Sequence, residues 1–156
     1  MNLKRIVIFF ILLLLAVIVN GCANNKEMPT SSEKGFNPVY TVLGEKDVST
    51  GYAVRRIIRI SVPLGLEKKV LEDNIQHAAR DVEKRYAKAD RGLAIDVYTF
   101  TDEDVKLLNQ GEYVNTIADC TYAPNGEWTN SNIKYSPSNM KANITIKDDY
   151  FKKQKK

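Results

Sequence analysis

The sequence predicts an α+β fold, a two-layer sandwich with one main amphipathic helix packed on a mixed sheet of four to five strands. The expected order is strand, strand, helix, strand, strand. Three stretches carry that reading. In Val54–Val62, the residues Val54, Ile58, Ile60 and Val62 share one face, with Arg56 among them, while Arg55, Ile57, Arg59 and Ser61 share the other. Alternate residues of a strand point to opposite faces, so one side is apolar and the other mixed. Farther on, Leu71, Ile75, Ala78, Val82, Tyr86 and Ala89 recur at spacings of four and three, the stripe of a helix with one buried side. Leu93–Phe100 is then β-rich and almost continuously apolar, as suits a central strand. A strand, a helix and a strand in succession cross over right-handed and leave the two strands parallel.

Ahead of that domain stands a leader. Lys4 and Arg5 are followed by fourteen unbroken apolar residues, Ile6 to Val19, and then by Asn20-Gly21-Cys22. This is the charged start, apolar centre and small-residue cleavage site of a secretory signal. The run is too short to span a bilayer, which takes about 20 apolar residues. The stretch Val19-Asn20-Gly21-Cys22 resembles the lipobox of bacterial lipoproteins, although Asn20 departs from the usual Ala, Ser or Thr. The resemblance implies cleavage after Gly21, a diacylglycerol on the Cys22 thiol, and a chain held at the extracytoplasmic face of the cell membrane, with the lipid bilayer as its first partner.

Composition then bounds the remainder. Of 156 residues, removal of the first 21 leaves 135, enough for one small domain with a core of its own. The formal charge of +4 overstates basicity: without Lys4 and Arg5, 21 basic residues face 19 acidic ones. Four of those lysines crowd the end at Lys152, Lys153, Lys155 and Lys156. A domain without net positive charge lacks the phosphate-neutralising surface that nucleic-acid binding needs, so no nucleic-acid partner is expected. With Cys22 acylated, Cys120 has no disulfide partner, and its place in a β-like run marks it as a buried small hydrophobe.

The elements are taken in chain order. Cys22 to Pro38 is rich in Asn, Ser, Pro and charge and reads as a tether, with the domain proper expected over 39–135. Tyr40-Thr-Val-Leu is a first strand ending at the turn-like Gly44-Glu-Lys-Asp, and Val54–Val62 is the second. Leu64-Gly-Leu opens the helix and Gly92 is its expected stop. His77 falls on the polar flank of that helix, and no second His exists to share a metal with it. Thr101 caps a helical turn, with Asp104 three residues on. Its three acids do not make a calcium loop, since Leu107 stands where Gly is required and Tyr113 where the bidentate Glu belongs.

Tyr113–Ala123 alternates as a further strand. Asn125-Gly126 is a strong hairpin signal, because both central residues of a type I′ turn need positive φ. Trp128 would then start the returning strand or plug the core. Residues 136–156 read as loop, a short edge strand around Ala142–Ile146 and a Lys-rich tail.

The segment from Tyr40 to Trp128 resembles a small uncharacterised bacterial and phage domain family. The residues that carry the likeness are Tyr40-Thr-Val-Leu, Asp47-Val-Ser, Arg55-Arg-Ile-Ile-Arg-Ile-Ser-Val-Pro, His77-Ala-Ala and Ala123-Pro-Asn-Gly-Glu-Trp. The resemblance implies a fold and no substrate.

Chemical signatures are scarce. The chain has no Gly-rich phosphate loop, no zinc spacing and no G-x-S-x-G elbow, so neither catalytic residues nor a cofactor or metal site are expected. The favoured expectation is a non-enzymatic binding module for a surface protein or envelope polymer. Arg55 and Arg59 are its candidate contacts on the sheet face that a single helix leaves open, where an arginine fork suits carboxylate or phosphate. The plainer expectation for both is cross-strand pairing with Asp96 or Asp119. A small envelope hydrolase, or a structural protein dimerising through the open face, are the alternatives.

Overall fold

The computed structural model describes residues 36–153. The leader, the lipid on Cys22 and the tether that the sequence leads one to expect, as far as Gly35, and the last three residues of the tail lie outside the described residues.

Five strands, β1 (Thr41–Asp47), β2 (Ala53–Val62), β3 (Gly92–Thr101), β4 (Ala118–Pro124) and β5 (Met140–Ile146), form one sheet in that order. β2 and β3 run parallel, and the other neighbours run antiparallel. Helix α1 (Lys68–Tyr86) is the crossover between the parallel pair. Shorter pieces come after it: α2 (Asp102–Asn109), a 3-10 turn (Trp128–Asn132) and α3 (Asp148–Lys153). This is the expected α+β class with a mixed sheet and one main helix.

The core lies between α1 and one face of the sheet. Ile58, Ile60 and Val62 of β2, Leu93, Ile95 and Val97 of β3, and Cys120 and Tyr122 of β4 meet Leu71, Ile75, Ala78 and Val82 of the helix. Each fully buried aliphatic side chain contributes roughly 1.5–3 kcal/mol by leaving water. Asn74, wholly buried on the same helix, is satisfied twice: it donates to the Val70 carbonyl at 2.8 Å and accepts from the Val39 amide at 2.7 Å, which fixes the entry to β1. Arg56, the charge within the apolar face, is absorbed at the sheet edge. Its guanidinium lies 3.9 Å from the centre of the Tyr86 ring and 2.9 Å from Asp47, so ring and carboxylate replace the lost water.

Several expectations are corrected. The helix begins at Lys68, after Leu64–Leu66, and ends at Tyr86, short of Gly92. Gly92 instead opens β3, and its need for glycine is steric: a Cβ there would lie 1.7 Å from the Ser131 carbonyl oxygen. Asn125 and Gly126 do adopt positive φ, 58° and 78°, and the Glu127 amide closes the turn onto Pro124 O at 3.3 Å. No hairpin forms there, because the chain next winds into the 3-10 turn and the partner of β4 is β5, whose Met140 pairs with Pro124. Trp128 therefore starts no strand and plugs no core; it is half-buried in the 3-10 turn.

The strand expected from Tyr113 begins only at Ala118, and Tyr113 is 90% exposed. Residues 136–153 belong to the folded domain. β5 completes the sheet, and Tyr150 of α3 is 1% exposed in the core with its hydroxyl donating to Leu66 O at 3.2 Å. The capping box at Thr101 and Asp104 is present in both directions, each bond 3.1 Å, and carries α2 through two turns.

Candidate functional site

Register decides which side chains the open face presents. Arg59 lies beside Tyr98 and Ile57 beside Asp96; across the next pair, Asp96 faces Thr121 and Tyr98 faces Asp119; Thr121 then faces Asn143. Residues paired across strands share a face, so Ile57, Arg59, Asp96, Tyr98, Asp119 and Thr121 form one polar tract opposite α1. Exposure agrees: Arg59 is exposed and the other five are intermediate, while Ile58, Val97 and Cys120 next to them in sequence are buried.

The 3-10 turn closes one end of this tract, where Gly92 lets its backbone touch the sheet. Arg55 belongs to that closure. Its Nε donates to Ser131 Oγ at 2.9 Å, an Nη donates to Asn132 Oδ1 at 3.4 Å, and its guanidinium stands 5.7 Å from the Trp128 ring centre. Arg59 is differently placed. Among the described residues it makes neither a hydrogen bond nor an ion pair, and it lies over Gly44 of β1, where a Cβ would come within 3.4 Å of its Nη2. The two candidate arginines are thus separated in role: Arg55 holds the turn, and Arg59 keeps its fork free.

Neither arginine pairs with Asp96 or Asp119. Asp96 accepts from Thr121 Oγ1 at 2.8 Å. Asp119 lies 3.6 Å from Lys147 through Oδ2, while its Oδ1 is buried without a hydrogen-bond partner among the described residues. Burial raises the Asp96 carboxyl above the usual carboxylate range; the Asp119 charge adds to this and the Thr121 bond opposes it. Burial, with both carboxylates nearby, also raises the Tyr98 hydroxyl. Chemically the tract offers a free guanidinium fork for an anionic group, two carboxylates that accept from hydroxyls or amines, and a phenol ring between them. Sequence reasoning set Asp96 and Asp119 aside as counterions and passed over Tyr98 and Thr121. Their signal was the alternation of β3 and β4, readable only once the register is known.

The other singled-out residues lie elsewhere. Cys120 is buried on the α1 face, and desolvation, with the Asp96 charge adding, pushes its thiol up to about 12, which makes it inert at neutral pH. His77 is more enclosed than a solvated flank position. Its Nδ1 lies 3.1 Å from the Tyr40 hydroxyl, which donates to Asp81 at 2.9 Å, and its ring stands 5.9 Å from that of Phe36. This group ties the start of β1 to α1. Among the described residues, no three His, Cys, Asp or Glu side chains are grouped to hold a metal ion.

No family model, no curated protein and no solved structure matches the chain, so the site is read from its own geometry.

Proposed function

We propose that the chain is a lipoprotein anchored through Cys22 at the extracytoplasmic face of the cell membrane, and that its domain binds an envelope polymer on the open face of the sheet. The observation that supports this most is the juxtaposition of Arg59 and Asp96 on neighbouring strands, each uncompensated by the other. Arg59 has no partner among the described residues, and Asp96 has only the neutral Thr121 hydroxyl, so both charges can take up a ligand. A polymer bearing both carboxylates and hydroxyls meets the requirement, with its carboxylate on the Arg59 fork and its hydroxyls donating to Asp96 and Asp119. A protein partner fits less well, because protein interfaces are depleted in aspartate and this centre holds two.

Cosedimentation of the full chain with purified bacterial cell-wall sacculi tests the binding. Wild type should sediment with them, and Arg59→Ala and Asp96→Asn should each weaken the association about tenfold or more, the loss of a charge-assisted hydrogen bond worth about 1.5–3 kcal/mol. Binding indifferent to both substitutions, or no binding by wild type, contradicts the reading. The anchor is tested apart, by intact mass of the membrane-extracted chain beside Cys22→Ala. Loss of residues 1–21 with a diacylglycerol-sized addition, both absent from the variant, is the expected result; an unmodified full-length mass refutes it.

A further inference from the structure

One end of the sheet carries a feature that neither the core nor the open face uses. Register places Thr41, Val62, Thr101, Ala118 and Ile146 at this end. The segments beyond them therefore gather there: Phe36–Tyr40 before β1, Pro63–Glu67 after β2, α2 with the loop to Ile117 between β3 and β4, and α3 after β5. Hydrogen bonds bind the segments together, among them Tyr150 to Leu66 O, Lys147 Nζ to Thr116 Oγ1 and the Lys147 amide to Ile117 O. Among the described residues eight large apolar side chains are exposed, and five of them, Val39, Leu64, Leu107, Leu108 and Tyr113, lie in these segments. Val42 adjoins them, and only Tyr52 and Ile133 lie at the opposite end. Five of the eight at one end make that end the domain's candidate interaction surface.

We propose that this end of the domain lies on the membrane, with Leu107, Leu108 and Tyr113 seated in the lipid headgroup region. The point where the chain enters identifies the occupant. Phe36 opens the first segment of this same end, and the fourteen residue steps from Cys22 to Phe36 span at most about 50 Å even fully extended, so an anchor at Cys22 keeps this end within reach of the bilayer. Tyrosine and leucine suit the interface, where an amphipathic ring or an apolar side chain sits at headgroup level. Charge does not supply the attraction: Glu67, Asp102, Glu103, Glu112, Asp148 and Asp149 outnumber Lys106, Lys147 and Lys152. The contact is apolar and needs no anionic lipid. Seated in this way, the domain turns the 3-10 turn away from the bilayer and stands the open face upright beside it, where a polymer can reach it.

The inference rests on the lipid anchor, so both are read on one sample. Full chain carrying Tyr113→Cys, or Tyr52→Cys as its opposite-end control, is labelled with an environment-sensitive dye and reconstituted in phosphatidylcholine vesicles holding a nitroxide-bearing lipid. Cys120 is buried and does not compete for the label. Intact mass reports the state of Cys22. With Cys22 diacylated, the dye at position 113 should be blue-shifted and lose more than half its emission to the nitroxide, while the dye at position 52 stays water-like. Diacylated chain with both dyes water-like overturns the inference and leaves the anchor standing. If Cys22 proves unmodified, the label is read in Cys22→Ala: quenching at position 113 then supports the surface without the anchor, and a water-like dye removes both.

Discussion

Two sets of side chains leave the same strand in opposite directions and meet opposite fates. Ile58, Ile60 and Val62 of β2 are sealed beneath α1, at most 1% exposed, whereas Arg55, Ile57 and Arg59 reach the other face, between a 3-10 turn and water. On the covered face the charge and the amide are compensated, Arg56 by Tyr86 and Asp47 and Asn74 by two backbone partners, and only Arg56 Nε and Thr99 Oγ1 are buried without a hydrogen bond among the described residues. On the open face compensation stops halfway along the strand. Arg55 is held by Ser131 and Asn132, and Arg59, four residues on, has no partner among the described residues. The contrast separates the groups the fold requires from those it leaves over, and the leftover groups are the ones proposed to bind.

The comparison can be broken most severely from the covered side. Ile60→Ala removes three buried heavy atoms where collapse is limited by α1, and should cost about 2–5 kcal/mol by urea unfolding. Gly92→Ala acts from the other face and should cost about 1–3 kcal/mol, because its Cβ must displace the Ser131 carbonyl. It should also loosen the 3-10 turn, which Trp128 fluorescence would report. Thr101→Ala deletes one arm of the capping box and should cost about 1 kcal/mol, measured by the same unfolding curves.

The smallest of these effects is also the most specific to the open face. Since burial raises the Asp96 carboxyl in the fold, its ionisation opposes folding. That penalty is absent below the ordinary carboxylate range, grows as pH rises from that range through the raised folded value, and is constant above it. Asp96→Asn keeps an acceptor for Thr121 and cannot ionise. Its stability relative to wild type should therefore be more favourable at pH 7 than at pH 4, measured by urea unfolding at both; a constant difference would show that Asp96 carries no such burden. Asp81 works in the opposite sense. Burial pushes it up, but hydrogen bonds from Tyr40 and Lys84 and the charges of His77 and Lys84 outweigh this and hold it low. Its contribution is present at neutral pH and fades as pH falls through its lowered value.

The same physics explains how much of this was legible in the sequence. The α+β class, the parallel β2–α1–β3 unit and the cap at Thr101 were readable because each is announced by local periodicity or by a side chain three residues from its partner. The return of β4 was misread. Asn125-Gly126 specified the turn correctly, but a turn closes a hairpin only when a second strand begins directly after it, and residues 128–139 hold no β-forming run. β5 was legible only as a short edge strand over Ala142–Ile146, because Lys141, Asn143 and Thr145 dilute the apolar alternation of Met140, Ala142, Ile144 and Ile146, and α3 was read as tail because the burial of Tyr150 is a tertiary fact. At the site, composition found Arg59 but gave Arg55 the same role. The difference between them is set by the 3-10 turn, whose Ser131 lies 76 residues beyond Arg55 in sequence.

The most direct test of that difference is Arg59→Ala, with unfolding free energy and sacculus cosedimentation measured on the same preparation. The account predicts stability within about 0.5 kcal/mol of wild type, as for a surface side chain without partners, together with binding weakened about tenfold or more. Undiminished binding would contradict the site, and a stability loss above about 2 kcal/mol would show that Arg59 serves the fold after all.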